Sequence, residues 1–222
     1  MKGYEYWLTF DEATKAELEA ITDPKELEDR FYKELEFGTG GLRGVIGAGT
    51  NRMNVYTVAQ ATQGLADYLN ETFEEPTVAI AYDSRIKSDV FAKCAAGVLA
   101  ANGVKVYIYP NLIPTPLVSY AVMRLKCQGG VVITASHNPS KYNGYKCYDP
   151  AGYQMTEEAA NETYAFIQKV DMFGGAKRMD FDKAFEEGLI EYISDDIAKL
   201  IRVNEILLFT QSNLFQSISD AK

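Results

Sequence analysis

Residues 77–110 read "TVAIAYDSRIKSDVFAKCAAGVLAANGVKVYIYP" and contain the pattern that decides the fold. The run 77–83 is almost continuously apolar, which is typical of a strand covered on both faces of its sheet. Residues 88–103 have helical spacing and end at a glycine, as many helices do. A second strand is predicted over 104–110. Strands and helices that alternate at these lengths predict parallel strands joined by right-handed crossovers.

The alternation continues downstream of this stretch. A helix is predicted over 115–126 and a third strand over 129–136, which completes a βαβαβ pattern. Residues 143–149, "NGYKCYD", are expected to fold back as a short antiparallel edge strand, and 156–170 and 181–200 are expected to be helical. The sequence therefore predicts an α/β class fold, a layered α/β/α domain with a mainly parallel sheet and an antiparallel edge.

The residues upstream differ in composition. Charged and apolar residues alternate at helical spacing over 11–36, with Asp11 as a cap and a break between two helices at 22–24. Six glycines follow in 37–54, "FGTGGLRGVIGAGTNRMN", which predicts a loop and a short strand. We expect residues 1–200 to form one domain with an amino-terminal helical extension. Residues 201–222 would begin a second domain or form an unmatched tail.

Composition and charge limit the possible partners. The formal charge is -9 and no Lys/Arg cluster is present, which argues against nucleic acid as a partner but leaves small anions open. No stretch approaches the roughly 18 apolar residues that span a bilayer, and the start lacks the apolar core of a signal peptide. We therefore expect no membrane partner and a cytoplasmic location. Cys94, Cys127 and Cys147 lack metal-site spacing and are predicted to be buried thiols.

Polar residues follow three of the predicted strands: 83–85 (Asp-Ser-Arg), 110–111 (Pro-Asn) and 136–138 (Ser-His-Asn). Ligands of open α/β sheets bind at the carboxyl ends of strands, so these residues are expected on one rim. The glycine-rich segment could bring Arg43 to the same rim. It is not a dinucleotide fingerprint, because Arg43 stands where a third glycine belongs, and the chain has no P-loop lysine motif.

Two interpretations of Ser136 remain open from spacing alone. If 129–136 and 143–148 pair as a hairpin, Lys146 returns beside Ser136, and this lysine or His137 could assist a nucleophile. Alternatively, Ser136 and Asn138 only satisfy backbone groups in a polar turn. A serine hydrolase is less attractive, because the G-x-S-x-G motif is absent and adjacent Ser and His rarely form a nucleophile and base pair.

Two motifs resemble a known family. "TASHNPSKYNGYK", residues 134–146, is similar to the phosphoserine loop of the α-D-phosphohexomutase superfamily. Residues 37–54 resemble the amino-terminal segment of its phosphoglucomutase and phosphomannomutase members, and "AYDSR" at 81–85 lies between the two motifs. The resemblance covers about residues 36–200. The stretch "FGTGGLRG" looks most like the branch that includes phosphoglucomutase and phosphopentomutase activities.

The resemblance implies a mechanism and a set of site residues. Ser136 would be the phosphoserine, exchanging its phosphoryl group with a sugar monophosphate through a sugar bisphosphate, which also acts as activator. The other implied site residues fall into two groups: His137 and Lys146 for proton transfer and charge neutralisation, and Thr39, Arg43, Arg85 and Asn138 for substrate binding. Mg²⁺ would bind the phosphoserine oxygen of Ser136 together with aspartates of a later domain.

Members of that superfamily have four domains, and their metal, sugar-specificity and terminal phosphate loops belong to later domains. None of those loops occurs in this sequence. We therefore expect the first domain with the start of the second, as a truncated gene product or an expressed fragment, with the later domains as missing partners and no turnover by this chain alone. A second hypothesis is a non-catalytic remnant that binds a partner or a sugar phosphate weakly.

Overall fold

The structure is a computed structural model that describes residues 3–194 and 196–197. The helices are α1 (Tyr4–Trp7), α2 (Glu12–Glu19), α3 (Pro24–Phe31), α4 (Val55–Thr72), α5 (Ser88–Ala101), α6 (Pro116–Leu125), α7 (Glu157–Ile167) and α8 (Phe181–Glu186). The strands are β1 (Gly41–Val45), β2 (Thr77–Tyr82), β3 (Lys105–Ile108), β4 (Gly129–Ile133), β5 (Tyr142–Tyr148) and β6 (Ile190–Tyr192).

The six strands form one sheet in the order β1-β5-β4-β2-β3-β6. β4, β2, β3 and β6 are parallel, while β5 and β1 are antiparallel to their neighbours. The predicted α/β class and antiparallel edge are confirmed. The prediction that residues 143–149 themselves form the edge was wrong, because the glycine-rich segment supplies β1 and β1 lies outside β5.

Helices cover both faces of the sheet. On one face, α4, α5, α7 and α8 pack against alternate strand residues such as Ile80, Val131 and Tyr145. On the other face, α6 packs its buried residues against Ala79, Ala81 and Val132. Side chains on both faces of each central strand are therefore covered by helices, which explains the continuous apolar runs in the sequence of these strands.

Capping residues set the helix starts that the sequence predicted. Asp11 accepts a hydrogen bond from the Thr14 backbone N–H at 2.8 Å and begins α2. Asp23 accepts from the Lys25 N–H at 2.9 Å, and Pro24 is the first residue of α3. A side-chain oxygen at the N-cap satisfies backbone donors that have no partner within the helix.

The prediction that residues 181–200 are helical holds for 181–186 but was wrong for 187–194, while 195 and 198–200 lie outside the described part of the chain. Helix α8 ends at Glu186, and Gly188 adopts a left-handed conformation with φ 74°. The chain then forms β6, which pairs with the open edge of β3. The predicted tail from residue 201 and the domain boundary near residue 200 lie outside the described residues.

The amino-terminal helices pack on the glycine-rich loop. Trp7 and Leu18 form a small apolar cluster with Ala48 and Met172. Buried Arg30 links the two parts, because its Nη1 donates to Glu17 at 2.6 Å and to the Ala48 carbonyl at 3.0 Å. The extension is therefore part of the same packed body as the sheet.

The cysteines are free thiols, with Cys127 and Cys147 buried and Cys94 half-buried. Burial raises the pKa of Cys94 to about 11, so this thiol is protonated at neutral pH.

Within residues 3–194 and 196–197, no helix combines the length and apolar character that crossing a bilayer would require.

Candidate active site

Ser136 lies at the rim of the sheet, three residues after the end of β4. Thr134 and Ala135 are buried, whereas Ser136 is exposed and has φ 53°, a left-handed conformation that serine rarely adopts. The Ser136 N–H donates to Thr134 Oγ1 at 3.0 Å. Residues in such conformations persist only when their surroundings fix them, and they cluster at functional sites.

Arg85 fixes the loop that carries Ser136. Its Nη2 donates to the carbonyl oxygens of Ser136 at 2.5 Å and Asn138 at 2.7 Å. Its Nη1 donates to the carbonyls of Pro139 and Tyr142, both at 3.1 Å. One rigid guanidinium therefore binds three backbone oxygens of the loop between β4 and β5 and one of the first residue of β5, a geometry that lysine cannot reproduce.

A polar network beneath the loop orients Arg85. Asp83 lies 3.5 Å from the Arg85 Nε, and its Oδ1 accepts from the Arg85 N–H at 3.0 Å and from Ser88 Oγ at 2.9 Å. Buried Asn143 donates to Ser88 Oγ and to the Ile86 carbonyl, both at 3.0 Å. The end of β2 is thereby joined to the start of β5.

Lys146 returns to Ser136 on the β4–β5 hairpin, as predicted. Val132 pairs with Lys146 in the sheet, and the Lys146 Nζ donates to Ser136 Oγ at 3.2 Å. The pKa of Lys146 is lowered, first by burial of the ammonium and second by the nearby charge of Arg43.

Arg43 lies on the same face of the sheet as Lys146. Gly41 pairs with Lys146 and Gly144 pairs with Arg43, so the two cations are diagonal neighbours across β1 and β5. Thr39 is exposed just before β1. These three residues line a pocket of about 410 Å³. The described ion pairs include none for Arg43 or Lys146.

Two further predicted residues belong to the Ser136 loop. His137 is exposed, and we find no hydrogen bond from its ring to the described residues. Asn138 is half-buried and lines a second depression of about 380 Å³ together with Ser136 and Arg85. The guanidinium of Arg85 is occupied by the loop carbonyls, so its substrate-binding assignment stays a prediction while its geometry is that of a positioning residue.

The sequence did not reveal Thr134 and Asp83 as supports of the site. The predicted strand over 129–136 includes Thr134, although a threonine two residues before a turn serine is typical of side-chain to backbone bonding. The sequence indicates Asp83 only as a polar residue on the rim, after a predicted strand.

The described residues do not fit a complete magnesium site. Within 3–194 and 196–197, no three His, Cys, Asp or Glu side chains come close enough to hold a metal ion. Mg²⁺ prefers near-octahedral oxygen coordination, and a phosphorylated Ser136 would supply one such ligand.

Comparisons with known proteins agree with this geometry. The sequence profile described as phosphoglucomutase/phosphomannomutase, alpha/beta/alpha domain I, matches residues 34–173. The chain belongs to this phosphoglucomutase/phosphomannomutase family. The superfamily indicated by the sequence motifs is thereby confirmed.

Individual family members show the extent of the similarity. A phosphoglucomutase of Staphylococcus saprophyticus is 38% identical over 169 residues, which are 76% of this chain and 31% of the relative. A Schizosaccharomyces pombe protein named as a probable phosphoribomutase is 44% identical over 144 residues, or 62% of this chain and 24% of the relative. The chain thus spans a third or less of these curated relatives.

A solved structure shares the fold. A Thermus thermophilus protein, provisionally assigned as a phosphomannomutase, matches with a TM-score of 0.58 and 34% identity. The match covers 70% of this chain and 35% of that protein.

Proposed function

We propose that this chain is the phosphoryl-carrying domain of a phosphosugar mutase, with Ser136 as the phosphorylated residue. The observation that carries the proposal is the exposed Ser136 Oγ, which lies 3.2 Å from the Lys146 Nζ on a loop fixed by Arg85. Rigid positioning of a nucleophile beside a cation is what in-line phosphoryl transfer requires.

In the proposed transfer step, each bond that forms is matched by a bond that breaks, and side chains near Ser136 can supply and accept the protons. A sugar hydroxyl attacks the phosphorus of phosphorylated Ser136, a new oxygen–phosphorus bond forms, and the bond from phosphorus to Ser136 Oγ breaks. The Lys146 ammonium, which already donates to Oγ, can protonate the departing serine oxygen. The attacking hydroxyl loses one proton, and acceptance of this proton by His137 stays a prediction from the family resemblance.

The cations on the sheet face serve the same step. Arg43 and Lys146 offset the charge of a phosphoryl dianion, although the protein as a whole carries -9. Thr39 at the pocket wall and Asn138 in the serine loop are proposed to contact the sugar phosphate.

We propose interconversion of sugar 1-phosphate and 6-phosphate through a sugar bisphosphate, with glucose or mannose as the sugar. The relatives named as phosphoglucomutases support glucose, and the phosphoribomutase-named relative makes pentose 1- and 5-phosphates a further candidate. The bisphosphate would also act as the activator that phosphorylates Ser136.

When bound, Mg²⁺ would neutralise charge on the transferring phosphoryl group. The described residues do not complete its site, so we propose that further ligands come from the segments of a full-length mutase that this chain does not span. For the same reason we expect the 222-residue chain alone not to turn over as a mutase. The cytoplasmic location stays a prediction.

Transplanting the segment into a full-length relative tests the proposal. Residues 34–173 would replace the homologous segment of the S. saprophyticus phosphoglucomutase, and turnover of glucose 1-phosphate would be measured. We expect an active chimera that loses several powers of ten in rate with Ser136→Ala, because the covalent step has no other nucleophile. An active Ser136→Ala chimera would disprove the proposal, and an inactive but folded parent chimera would favour the non-catalytic alternative.

A further inference from the structure

We propose that Lys33, from the amino-terminal extension, completes a phosphate subsite with Arg43 and Lys146 that binds a sugar phosphate. The three cations line one pocket of about 410 Å³, together with the neutral polar residues Thr39, Asn51 and Gln154. This inference deepens the proposed function, on which its choice of ligand rests, by naming a binding site built into this chain.

The charges in the pocket favour an anion. Three cations and one carboxylate, Glu36, line it, in a protein whose net charge is -9. The Glu36 carboxylate forms an ion pair with Lys33, whose Nζ lies 3.2 Å from Glu36 Oε1. Arg43 and Lys146 have no carboxylate partner among the described ion pairs, so a phosphate would supply the missing counter-charge.

The backbone of Lys33 is fixed at the pocket edge. Its carbonyl accepts from Thr50 Oγ1 at 2.7 Å, and the Leu35 N–H donates to the Thr50 carbonyl at 3.0 Å. The Leu35 side chain packs against Gly44 of β1, where a Cβ would lie 2.8 Å from a Leu35 methyl carbon. The end of the extension is thus packed against the strand that carries Arg43, and the Lys33 side chain lines the same pocket as Arg43.

The neutral side chains indicate what else the ligand carries. Asn51 is anchored by donating to the Asp29 carbonyl at 2.8 Å, and Gln154 donates to the Thr39 carbonyl at 2.6 Å. Amide and hydroxyl groups around a cationic centre are suited to sugar hydroxyls. The volume lies within the usual range of small-molecule sites, roughly 300–1,000 Å³. A phosphorylated monosaccharide therefore fits the pocket better than a bare anion.

Calorimetric titration of the 222-residue chain with inorganic phosphate, glucose 6-phosphate and glucose tests the subsite without any turnover. We expect glucose 6-phosphate to bind more tightly than phosphate, and glucose not to bind. Lys33→Gln should weaken binding of both phosphates about five- to tenfold, as expected for one charge-assisted hydrogen bond at a partly exposed site. Glu36→Gln should tighten it about two- to threefold by releasing Lys33.

Lys183→Gln is the matched control, because Lys183 is an exposed lysine with an acidic partner, Glu187, one helical turn away. It should leave both affinities unchanged, and melting curves should show that all variants fold. Equal affinity of wild type and Lys33→Gln, or an equal loss in the Lys183→Gln control, would overturn the subsite. Equal binding of phosphate and glucose 6-phosphate would overturn the sugar-phosphate assignment. The proposed function is tested separately, by phosphorylation of Ser136 with a sugar bisphosphate. If binding depends on Lys33 but Ser136 is not phosphorylated, the subsite is supported and the proposed function is disproved.

Discussion

At the residue scale, the site depends on one strained serine and the arginine that holds it. Ser136 has φ 53°, and its carbonyl is the closest of the four acceptors of Arg85. The left-handed conformation costs on the order of 1–2 kcal/mol for an ordinary residue. The hydrogen bonds to Arg85 offset this cost and direct Oγ toward Lys146.

Arg85→Lys should therefore damage transfer more than binding. Lysine keeps the charge but loses the planar fork, and a shift of about 1 Å in a reacting group can lower a rate about 10²-fold. In the chimera, kcat should fall by about this factor with little change in KM, and amide exchange at residues 136–140 should accelerate. Arg124→Lys, at an exposed position of α6, makes the same chemical change away from the site and should do neither. An unchanged kcat for Arg85→Lys would refute the positioning role.

The pKa of Lys146 gives a second test at this scale. The folded protein lowers this pKa by burial and by the charge of Arg43, so the ammonium donor is lost at a lower pH than in an unfolded chain. Arg43→Gln removes the second cause only, and the pKa should rise without reaching the ordinary lysine value. The titration can be followed by the ¹³Cε NMR signal of Lys146, with Arg124→Gln as control. A lower or unchanged pKa in Arg43→Gln would contradict the assigned electrostatics.

At the element scale, the β4–β5 hairpin and β1 bring the site together. The alternation of strands and helices in the sequence predicted β2, β3 and β4. Their apolar runs were recognisable because side chains on both faces of these central strands pack against helices. The hairpin was also predictable, since the polar stretch between the two strands is a strong turn signal. The position of β1 was not, because a glycine-rich strand has little apolar pattern and its pairing depends on close backbone approach to β5.

Gly41 tests this close approach. A Cβ at Gly41 would lie 2.1 Å from the Tyr145 carbonyl oxygen and 3.0 Å from the Lys146 Cα. Gly41→Ala should therefore force β1 and β5 apart and lower the free energy of unfolding by about 1–3 kcal/mol, measured by urea denaturation. Gly38→Ala is the matched control, because a Cβ there meets no atom within 4 Å. Equal stability of the two variants would argue against the described packing of β1.

At the scale of the whole molecule, the fold collects residues from distant parts of the sequence onto one rim. Arg85 follows β2, Ser136 follows β4, Lys146 lies on β5, and Arg43 lies on β1. The sequence predicted these residues through strand ends and family motifs. It could not predict the proposed contribution of Lys33, since nothing in the helical extension indicates which of its lysines will border a pocket formed by later strands.

For the molecule as a whole, phosphorylation of Ser136 and repeated catalytic turnover have different structural requirements. The proposed phosphorylation of Ser136 would need its hydroxyl and the neighbouring cations Arg43 and Lys146, which this chain contains. Repeated turnover needs the sugar to be reoriented and held, and loss of that positioning removes up to roughly 7–11 kcal/mol of rate enhancement. The 222-residue chain should therefore accept a phosphoryl group slowly from a bisphosphate and not convert glucose 1-phosphate at an enzyme-like rate.

The central claim is that Ser136 carries the phosphoryl group, and mass spectrometry tests it most directly. The chain and its Ser136→Ala variant would be incubated for hours with excess glucose 1,6-bisphosphate and Mg²⁺, followed by intact mass measurement and peptide mapping. We predict the added mass of one phosphoryl group, located on Ser136 and absent from the variant. A phosphoryl group on another residue, equal labelling of the variant, or no labelling of the wild-type chain would contradict the claim.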